Sequence, residues 1–97
     1  MIETGSEGAA GAHSRAEVEL VVKQVIAYQV GLASADAVKG TADFFNDLGG
    51  DSLDYAEATI SIEEELDLSI PESDIPPKVD AMIDLVMKYV EEGGVSV

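Results

Sequence analysis

From Val79 to Val90 the apolar positions Val79, Met82, Ile83, Val86 and Val90 recur at three- and four-residue spacing, the period of one helix face. The same spacing appears earlier at Val18, Val22, Val25, Ile26 and Val30. There Ser14-Arg15-Ala16-Glu17 reads as a capping box at the start, and Gly31 as a stop. Val21 and Tyr28 fall off that face, so this first helix is apolar over more than one side. A further helical stretch runs from about Ser52 to Leu66. At about 100° per residue, Tyr55, Ala58, Thr59, Ile62 and Leu66 share a face that is assigned to the core. Leu53, Ala56 and Ile60 lie on the opposite face, alongside Glu57 and Glu64, with Asp54 at one flank. A helix of a small bundle needs one buried face, so the second apolar strip, rimmed by carboxylates, is expected to be a partner surface.

The segments between these helices are less regular. Leu32 to Gly50 shows no sustained period, and a connection of that length inside a compact domain is usually functional or well packed. Val38, Phe44 and Leu48 are spaced along it as candidate plugs into the core. Leu68 to Ile75 has room only for a short helical turn: Ile70 before Pro71 is expected to be extended. Pro76-Pro77 blocks a continuous helix but suits the start of a new one. Gly93-Gly94 is expected to end the last helix. The resulting fold class is all-α, a small bundle of three main helices plus a short third helix between the second and the last, with a long first loop. Residues 1–13, rich in Gly, Ala, Ser and Glu without periodicity, read as a disordered lead-in, 14–92 as the bundle and 93–97 as a frayed end. His13, the single histidine, falls in the lead-in and is expected to be inert.

Charge narrows the partners. The 97 residues carry 20 acidic and 5 basic side chains, a net charge of −15. Such a chain repels nucleic acid and anionic membrane surfaces and favours partners with basic patches. Glu63-Glu64-Glu65 and Asp67 place negative charge at the wrong end of a helix dipole, at a cost of about 0.3–1 kcal/mol per group. No Lys or Arg occurs between Lys39 and Lys78 to offset them in sequence. There is no cysteine, hence no disulfide, thiolate metal site or cysteine nucleophile. No apolar run is long enough to cross a bilayer, and the N-terminus lacks the segments of a signal peptide, so a cytoplasmic protein is expected; a monomer is expected as well.

The chemistry centres on Gly49-Gly50-Asp51-Ser52-Leu53-Asp54. Asp51 is a good N-cap. Ser52 then sits in the first helical turn, where a phosphate ester on its hydroxyl would lie beside unpaired backbone donors at the positive end of the dipole. Gly50-Asp51-Ser52-Leu53 also spells the motif of a family of serine esterases, but that reading needs a histidine base near the serine. His13 is on the wrong side of Ser52 for that family, and the chain is too short for its α/β fold. An EF-hand loop begun at Asp47 meets Gly49 at its third position, and one begun at Asp43 meets Phe45, so neither supplies the ligands. With no base, metal cage or phosphate-binding loop, an enzyme is not expected. A serine that does not act for itself is still a substrate for modification.

In these residues the chain resembles an acyl carrier protein. The resemblance rests on Phe44, Asp47-Leu48-Gly49, Asp51-Ser52-Leu53-Asp54, the acidic helix ending Glu63-Glu64-Glu65-Leu66, and Ile70-Pro71, in that order. It covers about Glu17 to Val90. It implies that Ser52 receives a covalent phosphopantetheine arm from coenzyme A through a phosphopantetheinyl transferase, with Asp51 and Leu53 beside it. The arm's thiol would carry acyl groups of fatty acid or polyketide synthesis as thioesters. The resemblance further implies that Asp51, Asp54, Glu57 and Glu64 with Leu53, Ala56 and Ile60 meet partners, namely the transferase and acyl synthases, ligases or transferases with basic patches. The sequence departs from the family pattern at Ala56 and Ala58, at Ile75-Pro76-Pro77, and in a slightly longer segment between Ile70 and Tyr89. Phe44-Phe45 and Leu48-Gly49-Gly50 are also similar to peptidyl carrier domains of nonribosomal synthetases. That reading, and an unmodified acidic interaction module, are the alternatives.

The charge imbalance carries a prediction of its own. Screening shortens the Debye length from about 10 Å at 0.1 M salt to about 3 Å at 1 M and relieves repulsion among the carboxylates. The melting temperature is expected to rise with added salt, and more steeply with a divalent cation. A thermal series that is flat in both would show that carboxylate repulsion does not limit stability.

Overall fold

The computed structural model describes residues 13–70 and 75–91. Within them three α-helices follow one another: α1 (Arg15–Val30), α2 (Ser52–Leu66) and α3 (Val79–Glu91), with a 3-10 turn at Ala35–Ala37 in the loop after α1. The all-α bundle expected from the periodicity is therefore present. The short helical turn foreseen before Pro76 falls largely on residues 71–74, outside the described residues, as do the lead-in up to residue 12 and the end beyond residue 91. The 3-10 turn in the first loop has no counterpart in the hydrophobic pattern.

α1 begins at Ser14, whose hydroxyl accepts from the Glu17 N–H at 3.1 Å. The reciprocal half of the expected capping box is not made, because the Glu17 carboxylate faces His13, with Nδ1 to Oε2 at 3.0 Å. The other ring nitrogen, Nε2, donates to the Leu66 carbonyl at 3.1 Å. His13 is thus bound between the start of α1 and the end of α2, where the last carbonyls of a helix lack intrahelical donors. This differs from its assignment to the lead-in. Arg15 adds a second tie, donating to Asp84 of α3 at 2.9 Å and to Glu19 at 3.1 Å. The Asp84 hydrogen bond, then that of Glu19, hold the guanidinium proton more firmly than usual.

Among the described residues the buried core is aliphatic apart from the ring of Phe44. Val18, Val22, Ile26 and Ala27 of α1 meet Ala58, Ile62 and Leu66 of α2 and Val79, Met82, Ile83, Val86 and Val90 of α3. The α3 face is the one its spacing predicts. On α1, Val25 and Val30 are only partly buried, whereas Ala27 is buried, off the expected stripe. Tyr55 and Thr59 of α2, expected in the core, are half-buried.

The long loop after α1 is well packed, with Val38 and Phe44 buried and Leu48 packed against the core, as their spacing suggests. Its backbone is also paired with the strand-like approach to α3. Phe44 N–H donates to the Pro77 carbonyl at 2.9 Å, Val79 N–H to Ala42 at 2.9 Å, and Asp80 N–H to Gly40 at 2.8 Å. Pro77 thus takes part through its carbonyl, the one backbone group a proline can offer.

Both α1 and α2 end in a left-handed residue, but of different kinds. Gly31 has φ 82° with its N–H donating to Ala27, and Asp67 has φ 55° with its N–H donating to Glu63. Glu63 also closes this second turn with its side chain, accepting from the Ile70 N–H at 2.7 Å. One of the carboxylates crowded at the end of α2 therefore has a structural task. A β-carbon on Gly31 would touch nothing within 4 Å, so substitution there tests conformation alone. Gly31→Ala is expected to lower stability by about 1 kcal/mol. Asp67→Gly is expected to raise it by about 0.5–1 kcal/mol, since it relieves the left-handed strain and removes a charge of the wrong sign. Urea unfolding of the two variants measures both, and shifts of the same sign would contradict the assignment.

Candidate functional site

The functional side chains are placed by what holds the start of α2. Asp51 is its N-cap, in an extended conformation, and a full capping box forms with the third helical residue. The Asp51 carboxylate accepts from Asp54 N–H at 2.9 Å, and the Asp54 carboxylate accepts from Asp51 N–H at 3.2 Å. Tyr55 N–H makes the first turn's bond to the Asp51 carbonyl at 2.9 Å. Among the described residues the N–H groups of Ser52 and Leu53 have no acceptor. Ser52 is exposed, and its hydroxyl has no partner among the described residues. An anion on that oxygen would meet two free donors at the positive end of a helix, so the residues present fit a phosphate ester.

The loop before Asp51 is fixed by its own carboxylates. Asp43 Oδ1 accepts from the N–H groups of Phe45 and Asn46, both at 2.9 Å, and Asp47 Oδ2 accepts from Asp43 N–H at 2.8 Å. The two aspartates considered as the start of a calcium loop are thus used by the backbone. Among the described residues no group of three or more His, Asp or Glu is arranged to hold a metal ion. Gly49 follows with φ 77°, and Gly50 N–H donates to the Phe44 carbonyl at 3.0 Å. The ring of Phe44 lies where a β-carbon on Gly50 would stand, 2.3 Å from Cε2.

Three rings support this junction. Phe44 is 5.4 Å from Phe45 and 5.3 Å from Tyr55, both edge-to-face, and Phe45 is 5.1 Å from Tyr55. Such pairs contribute about 0.5–1.5 kcal/mol each beyond area burial. The Tyr55 hydroxyl donates to the Ile75 carbonyl and lies 3.3 Å from that of Pro76. The first turn of α2 is thereby anchored to the segment that leads into α3.

The residues expected at a partner surface fall on the outside of α2. Leu53 is 65% exposed and Ile60 53%. Ala56, Glu57 and Glu64 are exposed as well, and Asp54 is half-exposed. Two of the carboxylates are engaged at home: Asp54 in the capping box, and Glu57, which accepts from Gln29 Nε2 of α1 at 2.6 Å. The capping role of Asp54 was legible as an acid three residues after an N-cap. Gln29 comes from another helix, and no local pattern announces it. Phe45, 38% exposed at the edge of the aromatic group, was also passed over. Among the described residues no helix is long and apolar enough to cross a membrane.

Comparison with known proteins bears on the family of the chain. The family model for a phosphopantetheine attachment site matches residues 21–86. An acyl carrier protein of Bdellovibrio bacteriovorus is 44% identical over 73 residues, which cover 75% of this chain and 90% of the relative.

The Tyr55 anchor is open to a conservative test. Tyr55→Phe keeps the ring contacts and deletes the hydroxyl, leaving the carbonyl it served without that donor. A loss of about 1 kcal/mol is expected, with faster amide exchange in the first turn of α2. Unchanged stability and exchange would show that the hydroxyl does not fix the start of the helix.

Proposed function

The chain belongs to the acyl carrier protein family, whose members hold phosphopantetheine covalently and are carriers rather than enzymes, and from this premise we propose that Ser52 is its attachment point. The observation that carries this is the environment of the hydroxyl: exposed, and, among the described residues, unpartnered and beside N–H groups of Ser52 and Leu53 that have no acceptor. Asp51 holds the serine by ordering the helix start, and Leu53 presents an apolar surface next to it. When attached, the arm supplies a terminal thiol that carries acyl groups as thioesters.

The cargo we assign is an acyl intermediate of fatty acid or polyketide synthesis. The name of the relative, an acyl carrier protein, supports acyl over aminoacyl cargo, and so does the net charge of −15. Partners in this reading are the phosphopantetheinyl transferase and acyl-handling enzymes with basic patches. They meet Leu53, Ala56 and Ile60 through apolar contact, and Asp51, Asp54, Glu57 and Glu64 through charge. Charged rims of this kind act mainly on encounter and orientation, while the apolar strip governs how long a complex lasts. A cytoplasmic location belongs to the same reading.

The test is intact mass after incubation with coenzyme A and a broad-specificity phosphopantetheinyl transferase. The wild-type chain is expected to gain one phosphopantetheine group and Ser52→Ala none, with the fold unchanged by circular dichroism. Labelling that persists in Ser52→Ala would place the arm elsewhere.

A further inference from the structure

Away from the outer face of α2, Tyr28 of α1 stands out, because at 87% it is the most exposed large hydrophobic side chain among the described residues. It borders a groove of about 260 Å³ between α1 and α2, lined by Val21, Gln24, Val25, Tyr28, Ser61 and Glu65. The apolar wall comes from α1 and the polar wall from α2. Ser61 and Glu65 follow Glu57 at four-residue steps, so the three form one row along α2. At the end of that row Gln29, next to Tyr28 in sequence, donates to Glu57. The groove is therefore continuous with the face that carries Leu53, Ile60 and Glu64. Among the described residues neither Glu64 nor Glu65 has a basic partner, whereas Glu17, Glu19 and Asp84 are paired.

We propose that the docking face of this carrier extends past α2 onto α1, and that the groove seats an apolar side chain of a partner enzyme flanked by a lysine or arginine. The apolar group packs against Val21, Val25 and Tyr28, and the cation meets Glu65. This rests on the carrier reading above. A second copy of the chain fits poorly, because each brings a net charge of −15 to the contact. Cargo tethered at Ser52 fits poorly too. Ser61 is nine residues further on, about half a revolution around α2 from Ser52, so the groove lies on the far side of the helix.

Steady-state kinetics of the broad-specificity phosphopantetheinyl transferase, with coenzyme A saturating and the carrier varied, tests this with Tyr28→Ala, Ile60→Ala and Leu20→Ala. Both Tyr28 and Leu20 are largely exposed, so neither change removes core. Tyr28→Ala is expected to raise KM for the carrier about five-fold or more, as Ile60→Ala does, with kcat retained. Leu20→Ala, on the side of α1 turned toward the 3-10 turn, is expected to leave KM unchanged. A raised KM in Ile60→Ala with none in Tyr28→Ala overturns the extension and leaves the carrier reading intact. Equal effects from Leu20→Ala and Tyr28→Ala also overturn it, since general apolarity would then be what is read. Loss of labelling at Ser52 in the wild-type chain strikes the carrier reading itself. Sedimentation showing a wild-type dimer that Tyr28→Ala dissolves would give the groove to a second copy instead.

Discussion

The start of α2 is held from below by one tyrosine. Tyr55 lies in the first turns of the helix, its ring against Phe44 and Phe45 and its hydroxyl on the Ile75 carbonyl. Phe44 in turn is buried and donates its N–H to Pro77. The position of the exposed serine is therefore set by a ring cluster that reaches both the long loop and the approach to α3. The modification proposed at Ser52 asks for a backbone that is fixed and a side chain that stays free. Supporting rings and backbone pairing supply the first condition without occupying the oxygen.

The loop before α2 shows how a long aperiodic segment is made rigid. It buries only a few side chains, and its polar backbone finds partners locally and at a distance. Asp43 and Asp47 satisfy N–H groups inside the loop, while Gly40, Ala42 and Phe44 pair with residues 77 to 80. Acidic residues that look like metal ligands in sequence are here hydrogen-bond acceptors for the main chain. The same holds for Glu63, whose carboxylate closes the turn after α2. Part of the negative charge in this protein is thus structural, and it raises the repulsion that the remaining fold has to withstand.

How much of this was legible depended on range. The face of α3 and both ends of α1 were readable, since periodicity, Ser14 and Gly31 act within one or two turns. Ala27 was not, because it falls off the stripe that the spacing marks. The bond between Gln29 and Glu57, the bridge from Asp43 to Lys78, and the hold of His13 on Leu66 join residues far apart in the chain. Such pairings leave no period to count. The outer face of α2 was readable as a face, but its carboxylates look equivalent in sequence, and the structure shows that they are not.

That inequality bears on how the proposed docking face would work. Asp51 and Asp54 are tied to each other's backbone, and Glu57 is held by Gln29. A basic partner that takes full hold of any of them competes with an existing bond, so their contribution is mainly the field they project. Glu64 and Glu65 have no such bond among the described residues, and a cation can pair with them at the cost of side-chain ordering alone. The free charges lie toward the far end of α2, away from Ser52, and the engaged ones lie beside it. Long-range attraction therefore covers the whole helix, whereas direct pairing is cheapest at the end remote from the serine. In the proposed docking, a partner gripping there would leave the region around the exposed hydroxyl open, a division of tasks that suits a carrier.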